Sequence, residues 1–329
     1  CYLLCCWMHW RACFHLLTHP AVFTLLTSAT ACSEEACKES NDLSILVQTR
    51  LQRKAREHLG QAKGHGQVNE SQPDKQITRE QIPQQLIMTG PDKSLEDLLK
   101  TSKLAKNVKK TLALNPRLKI RYLSDAECQS YIQENHGDEL AMIYEGTHEG
   151  HFRGDICRAA VLFNEGGFYA DLDFDPLVPF NYFVDNSTQF MSVFGDDGGV
   201  LNAVMAAVPH SPVMQQTLKE ILEWHVQGSE GQQADGWMGT ATLRRALISI
   251  MAHNCPELHL MSQQLKGQWQ CGPHTFRFHL EVSCLQADGP ECPPGRRQAK
   301  GLDGLHYAIV APGEQKKPLA WSRSSDCDS

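Results

Sequence analysis

The chain has 329 residues, of which 41% are hydrophobic and 21% charged, and its formal net charge is -7. This length and composition are typical of a globular protein with one large α/β domain or two smaller ones. The mildly acidic balance and the lack of a basic arm in the sequence argue against nucleic acid as the main partner, and favour small molecules or neutral surfaces.

The first part of the chain is not predicted to join the folded domain. Residues 1–31 are apolar and predict a signal peptide or a membrane-spanning signal anchor, and both interpretations stay open. Ala29-Thr30-Ala31 resembles a cleavage site, whereas His15, His19 and Pro20 interrupt the roughly 20 apolar residues that a span needs. Residues 32–80 are polar and predict a stem or linker.

Cysteines and glycosylation motifs indicate the compartment. The chain has 13 cysteines and two sequons, Asn69-Glu70-Ser71 and Asn186-Ser187-Thr188. Both features favour a lumenal or secreted protein. Four late cysteines are spaced too irregularly for a zinc ribbon and predict disulfides of undetermined pairing: Cys255, Cys271, Cys284 and Cys292.

A folded domain is predicted over residues 81–322, followed by a tail over 323–329. Its first strand is expected within Ile82–Met88, and Ser94 is expected to cap a helix that ends at Asn115-Pro116. A second strand follows over 118–122, and Ser124 and Glu127 have the spacing of a capping box. This alternation predicts an α/β domain with a mostly parallel sheet flanked by helices.

The next predicted helix, Gly154–Phe163, carries a polar pair beside its apolar stripe. Asp155 and Arg158 are three residues apart and therefore share one face. They form either a surface ion pair or a pair directed into a cleft, and the spacing leaves both readings open.

The segment Gly166–Pro176, GGFYADLDFDP, alternates apolar and polar residues and predicts a strand. Its polar face would carry Tyr169, Asp171, Asp173 and Asp175. Two such carboxylates suit a hard divalent cation that also binds a phosphate, while a solvated acidic edge is the alternative. Further on, Gly236–Thr242 predicts a glycine-bounded turn that either approaches a ligand closely or is an ordinary turn.

Together, Asp155-Ile-Cys-Arg158 and GGFYADLD resemble the signature D-x-x-R followed by G-G-x-Y-x-D-x-D of glycosyltransferase family 32. That family of DXD-containing sugar transferases includes initiating α-1,6-mannosyltransferases and inositol-phosphoceramide mannosyltransferases. The resemblance spans most of residues 82–245. The sequence departs from it at Ile87 and Gly90, where members often have histidine and tryptophan, and at Met238-Gly239-Thr240, where they have T-G-P.

The resemblance implies a GT-A fold, a nucleotide-sugar donor, a divalent metal (Mn²⁺ or Mg²⁺) and retention of anomeric configuration. It implies that Asp155 and Arg158 hold donor hydroxyls and that Asp173, with Asp171, holds the metal. It places Tyr169, Asp171, Gly166 and Gly167 at the nucleotide. The cation would neutralise charge that develops on the leaving nucleoside diphosphate.

We therefore expect a metal-dependent retaining glycosyltransferase that transfers a sugar to a glycan or glycolipid acceptor. GDP-mannose is the first donor expected, and UDP-sugars stay open. The expected location is the Golgi or secretory lumen as a type II membrane protein, or outside the cell. A catalytically silent nucleotide- or glycan-binding relative and a metal-dependent phosphohydrolase are the alternatives.

Overall fold

A computed structural model describes residues 80–195, 199–227, 238–255, 267–285, 289–292 and 307–322. All of them belong to one unit, residues 66–329. The predictions made for 1–31, for the stem up to residue 79 and for the tail at 323–329 lie outside the described residues. In the described parts of the chain, no helix is both long and apolar enough to cross a membrane.

The described residues form seven α-helices and ten strands. The helices are α1 (Leu95–Thr101), α2 (Ala105–Leu114), α3 (Asp125–His136), α4 (Asp138–Gly146), α5 (Gly150–Glu165), α6 (Pro212–Gln227) and α7 (Met238–Asn254). The strands are β1 (Gln85–Gly90), β2 (Lys119–Ser124), β3 (Gly167–Ala170), β4 (Asp175–Pro176), β5 (Phe190–Phe194), β6 (Val200–Ala207), β7 (Gly267–Cys271), β8 (His274–Ser283), β9 (Tyr307–Val310) and β10 (Pro318–Trp321).

The strands form one mixed sheet in the order β2-β1-β3-β6-β5-β8-β9-β10-β4, with β7 paired to β8. β1 is parallel to β2 and β3, and β5 is parallel to β8. The other pairings are antiparallel. The α/β class is confirmed, but the prediction of a mostly parallel sheet is wrong. Parallel neighbours need long crossovers, which the helices between β1 and β3 supply, whereas β5 and β6 are joined by a short hairpin.

Local capping explains why the early helices begin and end where they do. The Ser94 side chain accepts a hydrogen bond from the Asp97 amide at the start of α1. Ser124 and Glu127 form the predicted capping box of α3. The single helix expected before Asn115 is instead two, because the backbone is extended at Ser102 and the Ser102 hydroxyl accepts from the Leu104 amide.

The strand predicted over Gly166–Pro176 is shorter than expected. β3 ends at Ala170, and residues 171–174 form a turn in which the Phe174 amide donates to the Asp171 carbonyl at 3.1 Å. The Asn107 side-chain amide fixes this turn by donating to the carbonyls of Leu172 at 2.7 Å and Phe174 at 2.8 Å. The alternation continues through the turn because Leu172 and Phe174 still pack against the core.

The row of three aligned carboxylates is consequently not formed. Asp175 lies in the short strand β4, which pairs with β10, and its carboxylate forms an ion pair with Lys110. Asp171 and Asp173 lie in the turn before it, and both are partly exposed.

Both faces of the sheet are covered. Along β1, Leu86 and Met88 enter one hydrophobic core and Ile87 enters the other, as the period of a strand requires. The core that contains Ile87 also includes residues of α5, and residues Asp155–Leu162 of this helix are all buried. A helix that is buried on every side lies between other elements rather than on the surface, so the polar pair on α5 is an interior feature.

Three disulfides are present among the described residues: Cys128–Cys157, Cys255–Cys271 and Cys284–Cys292. Their Cα separations of 5.6, 5.3 and 5.2 Å fit the range that a disulfide can bridge. The prediction of disulfides among Cys255, Cys271, Cys284 and Cys292 is confirmed. The Cys128–Cys157 bond, which joins α3 to α5, was not predicted.

We expect the double substitution Cys128→Ala/Cys157→Ala to lower the free energy of unfolding by about 3–4 kcal/mol, because the bond closes a loop with a sequence separation of 29. Urea denaturation measures this loss. Cys284→Ala/Cys292→Ala, whose separation is 8, is the matched control and should lose about 1 kcal/mol less. Equal losses would contradict the loop-closure account.

Candidate active site

Arg158 is the centre of a buried polar network at the carboxyl end of β3. Its side chain is 8% exposed. Nη2 lies 3.3 Å from Asp155 Oδ1, and Nη1 lies 3.2 Å from Asp171 Oδ1. Nη1 also donates to the Asn202 carbonyl at 2.8 Å, and Nε donates to the Gly154 carbonyl at 3.2 Å. The nearby anions raise the pKa of Arg158 despite its burial, so the guanidinium stays charged.

Asp155 lies in α5 and contacts residues of β6 and α7. Its Oδ1 accepts a hydrogen bond from the Asn202 side-chain amide at 2.7 Å, and its carboxylate also accepts from the Gly239 backbone N–H. Burial raises the pKa of Asp155 to about 6, because desolvation outweighs the opposing effects of Arg158, Asn202 and Gly239.

Gly239 lets α7 approach this carboxyl group. A Cβ atom at Gly239 would lie 2.0 Å from Asn202 Nδ2 and 2.3 Å from Asp155 Cγ, which is closer than real Cβ atoms come. Of the predicted turn 236–242, residues 236 and 237 lie outside the described residues, and Gly239 belongs to the first turn of α7. The close approach expected of a glycine here is therefore made to protein side chains.

Tyr169 connects Arg158 to the turn of residues 171–174, here called the acidic turn because it carries Asp171 and Asp173. Its hydroxyl donates to Asp171 Oδ1 at 2.7 Å and lies 3.2 Å from Thr89 Oγ1. The Arg158 guanidinium carbon is 4.6 Å from the centroid of its ring, a cation–π arrangement. Burial raises the pKa of Tyr169 well above its usual value, and the Asp171 charge adds to this effect. The phenol therefore stays protonated and acts as a donor to Asp171.

The structure brings together Asp155, Arg158, Tyr169 and Asp171, and places Asp173 two residues beyond Asp171 in the same turn. Gly166 and Gly167 lie at the other end of β3. Both have positive φ angles, 62° and 110°, and a Cβ atom there would lie 2.7 Å from Pro209 and 2.6 Å from Gln85, respectively. The turn from α5 into β3 therefore accounts for both glycines.

The carboxylates of the acidic turn provide oxygen ligands of the kind that Mg²⁺ and Mn²⁺ accept. Among the described residues, no group of three His, Cys, Asp or Glu side chains could hold a metal ion. A cation bound together with a diphosphate needs only one or two protein carboxylates. Asp171 Oδ1 accepts from Tyr169, and Asp173 lies two residues further on in the same turn.

Three residues of this network had no assigned role in the sequence analysis: Thr89, Asn202 and Gly239. Asn202 is a polar residue within the apolar run of β6, and that contrast was the available signal. For Gly239, the signals were the glycine-bounded turn and its place in Met238-Gly239-Thr240, where the family has T-G-P. Their contacts with Asp155 and Tyr169 join residues that are far apart in the chain, so local patterns do not show them.

Neither the protein-family models nor the curated protein sequences give a match to this chain. Among solved structures, the chain is similar to one described as "PaToxG Glycosyltransferase", with 18% sequence identity and a TM-score of 0.41. The likeness covers 54% of this chain and 73% of that one.

We expect Gly239→Ala to lower the free energy of unfolding by about 1–3 kcal/mol, because the new methyl group overlaps Asp155 and Asn202. Urea denaturation provides the measurement. Gly150→Ala is the matched control, since Gly150 is also in the first turn of a helix and a Cβ atom there meets nothing within 4 Å. It should be neutral or stabilising by up to about 1 kcal/mol. Equal effects of the two substitutions would contradict the steric account.

Asp155 should make stability depend on pH. Because its pKa is raised from 3.8 to about 6 in the folded state, the folded chain binds more protons than the unfolded chain between these values. The free energy of unfolding should then fall by about 2 kcal/mol more in the wild type than in Asp155→Asn as the pH rises from about 4 to 7. Denaturation in metal-free buffer tests this, and parallel pH profiles would contradict it.

Proposed function

We propose that this chain is a metal-dependent, retaining glycosyltransferase that transfers a sugar from a nucleotide-sugar donor to a glycan or glycolipid acceptor. Mannose from GDP-mannose is the first donor to test, followed by UDP-sugars. The observation that carries the proposal is that buried Arg158 contacts Tyr169, at the end of β3, and Asp171, the first residue of the turn that also carries Asp173.

This geometry supports the roles that the family resemblance implies for Asp171 and Asp173. The carboxyl ends of parallel strands are the usual location of ligand sites in α/β sheets, and Asp171 directly follows β3 at such an end. Asp173 would hold the cation, and Asp171 would lie near the cation and the ribose of the donor. Tyr169 orients Asp171 through its hydrogen bond, which spares the carboxylate from rearranging when the donor binds.

The bound cation would supply Lewis-acid stabilisation of the negative charge on the leaving diphosphate. The residues around the acidic turn are held by ion pairs with Arg158. Arg158 neutralises part of the Asp171 charge, which lowers the repulsion between the two carboxylates of this short turn. Asp155 in turn anchors Arg158, with which it forms an ion pair at 3.3 Å.

A silent nucleotide- or glycan-binding relative is the second candidate, and one observation favours it. Asp155 and Arg158 are only 8% and 7% exposed, and they form an ion pair with each other and hydrogen bonds to Asn202. Such a buried pair positions neighbouring residues. It could contact donor hydroxyls only if the site rearranged. The two candidates differ in whether a bound donor is cleaved.

We further propose that the chain works in the lumen of the secretory pathway, including the Golgi, or outside the cell. The three disulfides support this location, because such bonds persist in oxidising compartments. A type II membrane anchor within residues 1–31 remains part of the proposal.

The first experiment is a donor screen in which the purified chain with Mn²⁺ is offered a panel of nucleotide sugars and nucleoside diphosphate release is recorded. We expect slow release from one donor, with loss of activity in EDTA. Asp173→Asn should lower the rate by at least about 100-fold, because the developing charge is no longer stabilised.

Asp175→Asn is the matched control, because Asp175 is two residues away and forms its ion pair with Lys110. Loss of such a partly exposed pair should change the rate by no more than about threefold. Full activity of Asp173→Asn would contradict the assignment of the metal ligand. Donor binding without any release or transfer would favour the silent relative, and release of sugar phosphate without an acceptor would indicate a phosphohydrolase.

A further inference from the structure

The sequon Asn186-Ser187-Thr188 forms a turn between the 3₁₀ helix Phe180–Phe183 and strand β5. Asn186 is exposed at the tip of this turn. Its side chain makes no hydrogen bond to any of the described residues. The side-chain amide of the sequon is therefore available to solvent and is not used to stabilise the fold.

Neighbouring residues hold the turn in place of Asn186. Asp185 Oδ1 accepts from the Ser187 amide and hydroxyl, at 2.9 and 2.7 Å. It also accepts from the Thr188 amide and hydroxyl, both at 3.1 Å. Arg277 Nη1 fixes the other carboxylate oxygen, Oδ2, at 2.8 Å. Because the Asp185 carboxylate organises the whole turn, a substituent on Asn186 breaks none of these contacts.

The register of the strands places the turn away from the candidate active site. β3 and β5 are both antiparallel to β6 and therefore run in the same direction. Gly167 at the start of β3 and Phe190 at the start of β5 both pair with Ala207. The turn precedes β5, whereas Asp171 follows β3. The sequon and the acidic turn thus lie at opposite ends of the strands. A bulky group at Asn186 therefore leaves the acidic turn open.

We propose that Asn186 is an N-glycosylation site. Its Nδ2 atom forms a bond with the anomeric carbon of an oligosaccharide carried on a polyprenyl diphosphate. The bond between that carbon and the diphosphate oxygen breaks, the polyprenyl diphosphate leaves, and one amide proton passes to a base of the transferring enzyme. The three disulfides support passage through the oxidising compartment in which this reaction takes place.

The structure also gives the order of events. Thr188 is only 1% exposed, and its hydroxyl donates to Asp185. The motif requires a hydroxyl residue at this position, and in the folded chain that hydroxyl is out of reach. The glycan is therefore added before the turn forms, during or soon after synthesis.

The test is expression of the 329-residue chain behind a secretory leader in cells that glycosylate asparagine, followed by peptide mapping after enzymatic deglycosylation in ¹⁸O water. We expect the Asn186 peptide to carry the deamidation label. Asn186→Gln should remove the label and one glycan mass, and Thr188→Ala should do the same. Thr188→Ser should retain the glycan because it preserves the sequon. Asn69→Gln should leave the label at Asn186 unchanged.

An unlabelled Asn186 peptide from chains in which the Cys128–Cys157 bond has formed would overturn the proposal, because such chains have passed through the oxidising compartment. We also expect Asn186→Gln to fold and to unfold at the same thermal midpoint as the unglycosylated wild type, because Asn186 contributes no hydrogen bond to the fold. Purified unglycosylated chain, once folded, should not be a substrate for the oligosaccharide transferase, and efficient modification of it would overturn the inferred order.

Discussion

Burial of a guanidinium group is the constraint on which the site depends. Arginine stays protonated and has five N–H donors, and removing such a charge from water is costly unless it is paired and hydrogen-bonded. Arg158 meets this requirement with three groups outside its own helix: the carboxylate of Asp171 after β3, the ring of Tyr169 in β3 and the carbonyl of Asn202 in β6. Displacing any one of them leaves a buried charge partly unpaired, so the network fixes the relative positions of α5, β3 and β6.

The change of strand direction determines where this network can form. β3 is parallel to β1 on one side and antiparallel to β6 on the other. Thr89 near the end of β1 therefore lies close to the Tyr169 hydroxyl, while Asn202 near the start of β6 reaches Asp155 and Arg158. A wholly parallel sheet would bring the carboxyl end of the neighbouring strand to this point. The mixed sheet instead brings the beginning of β6, and with it the approach of α7 through Gly239.

Contacts outside the network restrict the elements that carry it. The Cys128–Cys157 bond ties α5 to α3 next to both Asp155 and Arg158, and Asn107 in α2 fixes the acidic turn from its other side. The turn itself is formed by residues whose apolar members remain in the core. The carboxylates at 171 and 173 are thus presented by a fixed backbone, which is what a site must have if its ligands are to meet a cation and a diphosphate without prior rearrangement.

By itself, the sequence determined the features that depend on near neighbours in the chain. Helical spacing put Asp155 and Arg158 on one face, strand spacing put Tyr169 and Asp171 on one face, and side chains capable of capping predicted where α1 and α3 begin. Only the tertiary structure decided that β3 ends at Ala170, because the contacts of Asn107 that hold the turn come from 65 and 67 residues away. The tertiary structure alone also decided that Asp155 meets Asn202 and Gly239, because hydrogen bonds and steric contacts between distant segments leave no periodic trace in the sequence.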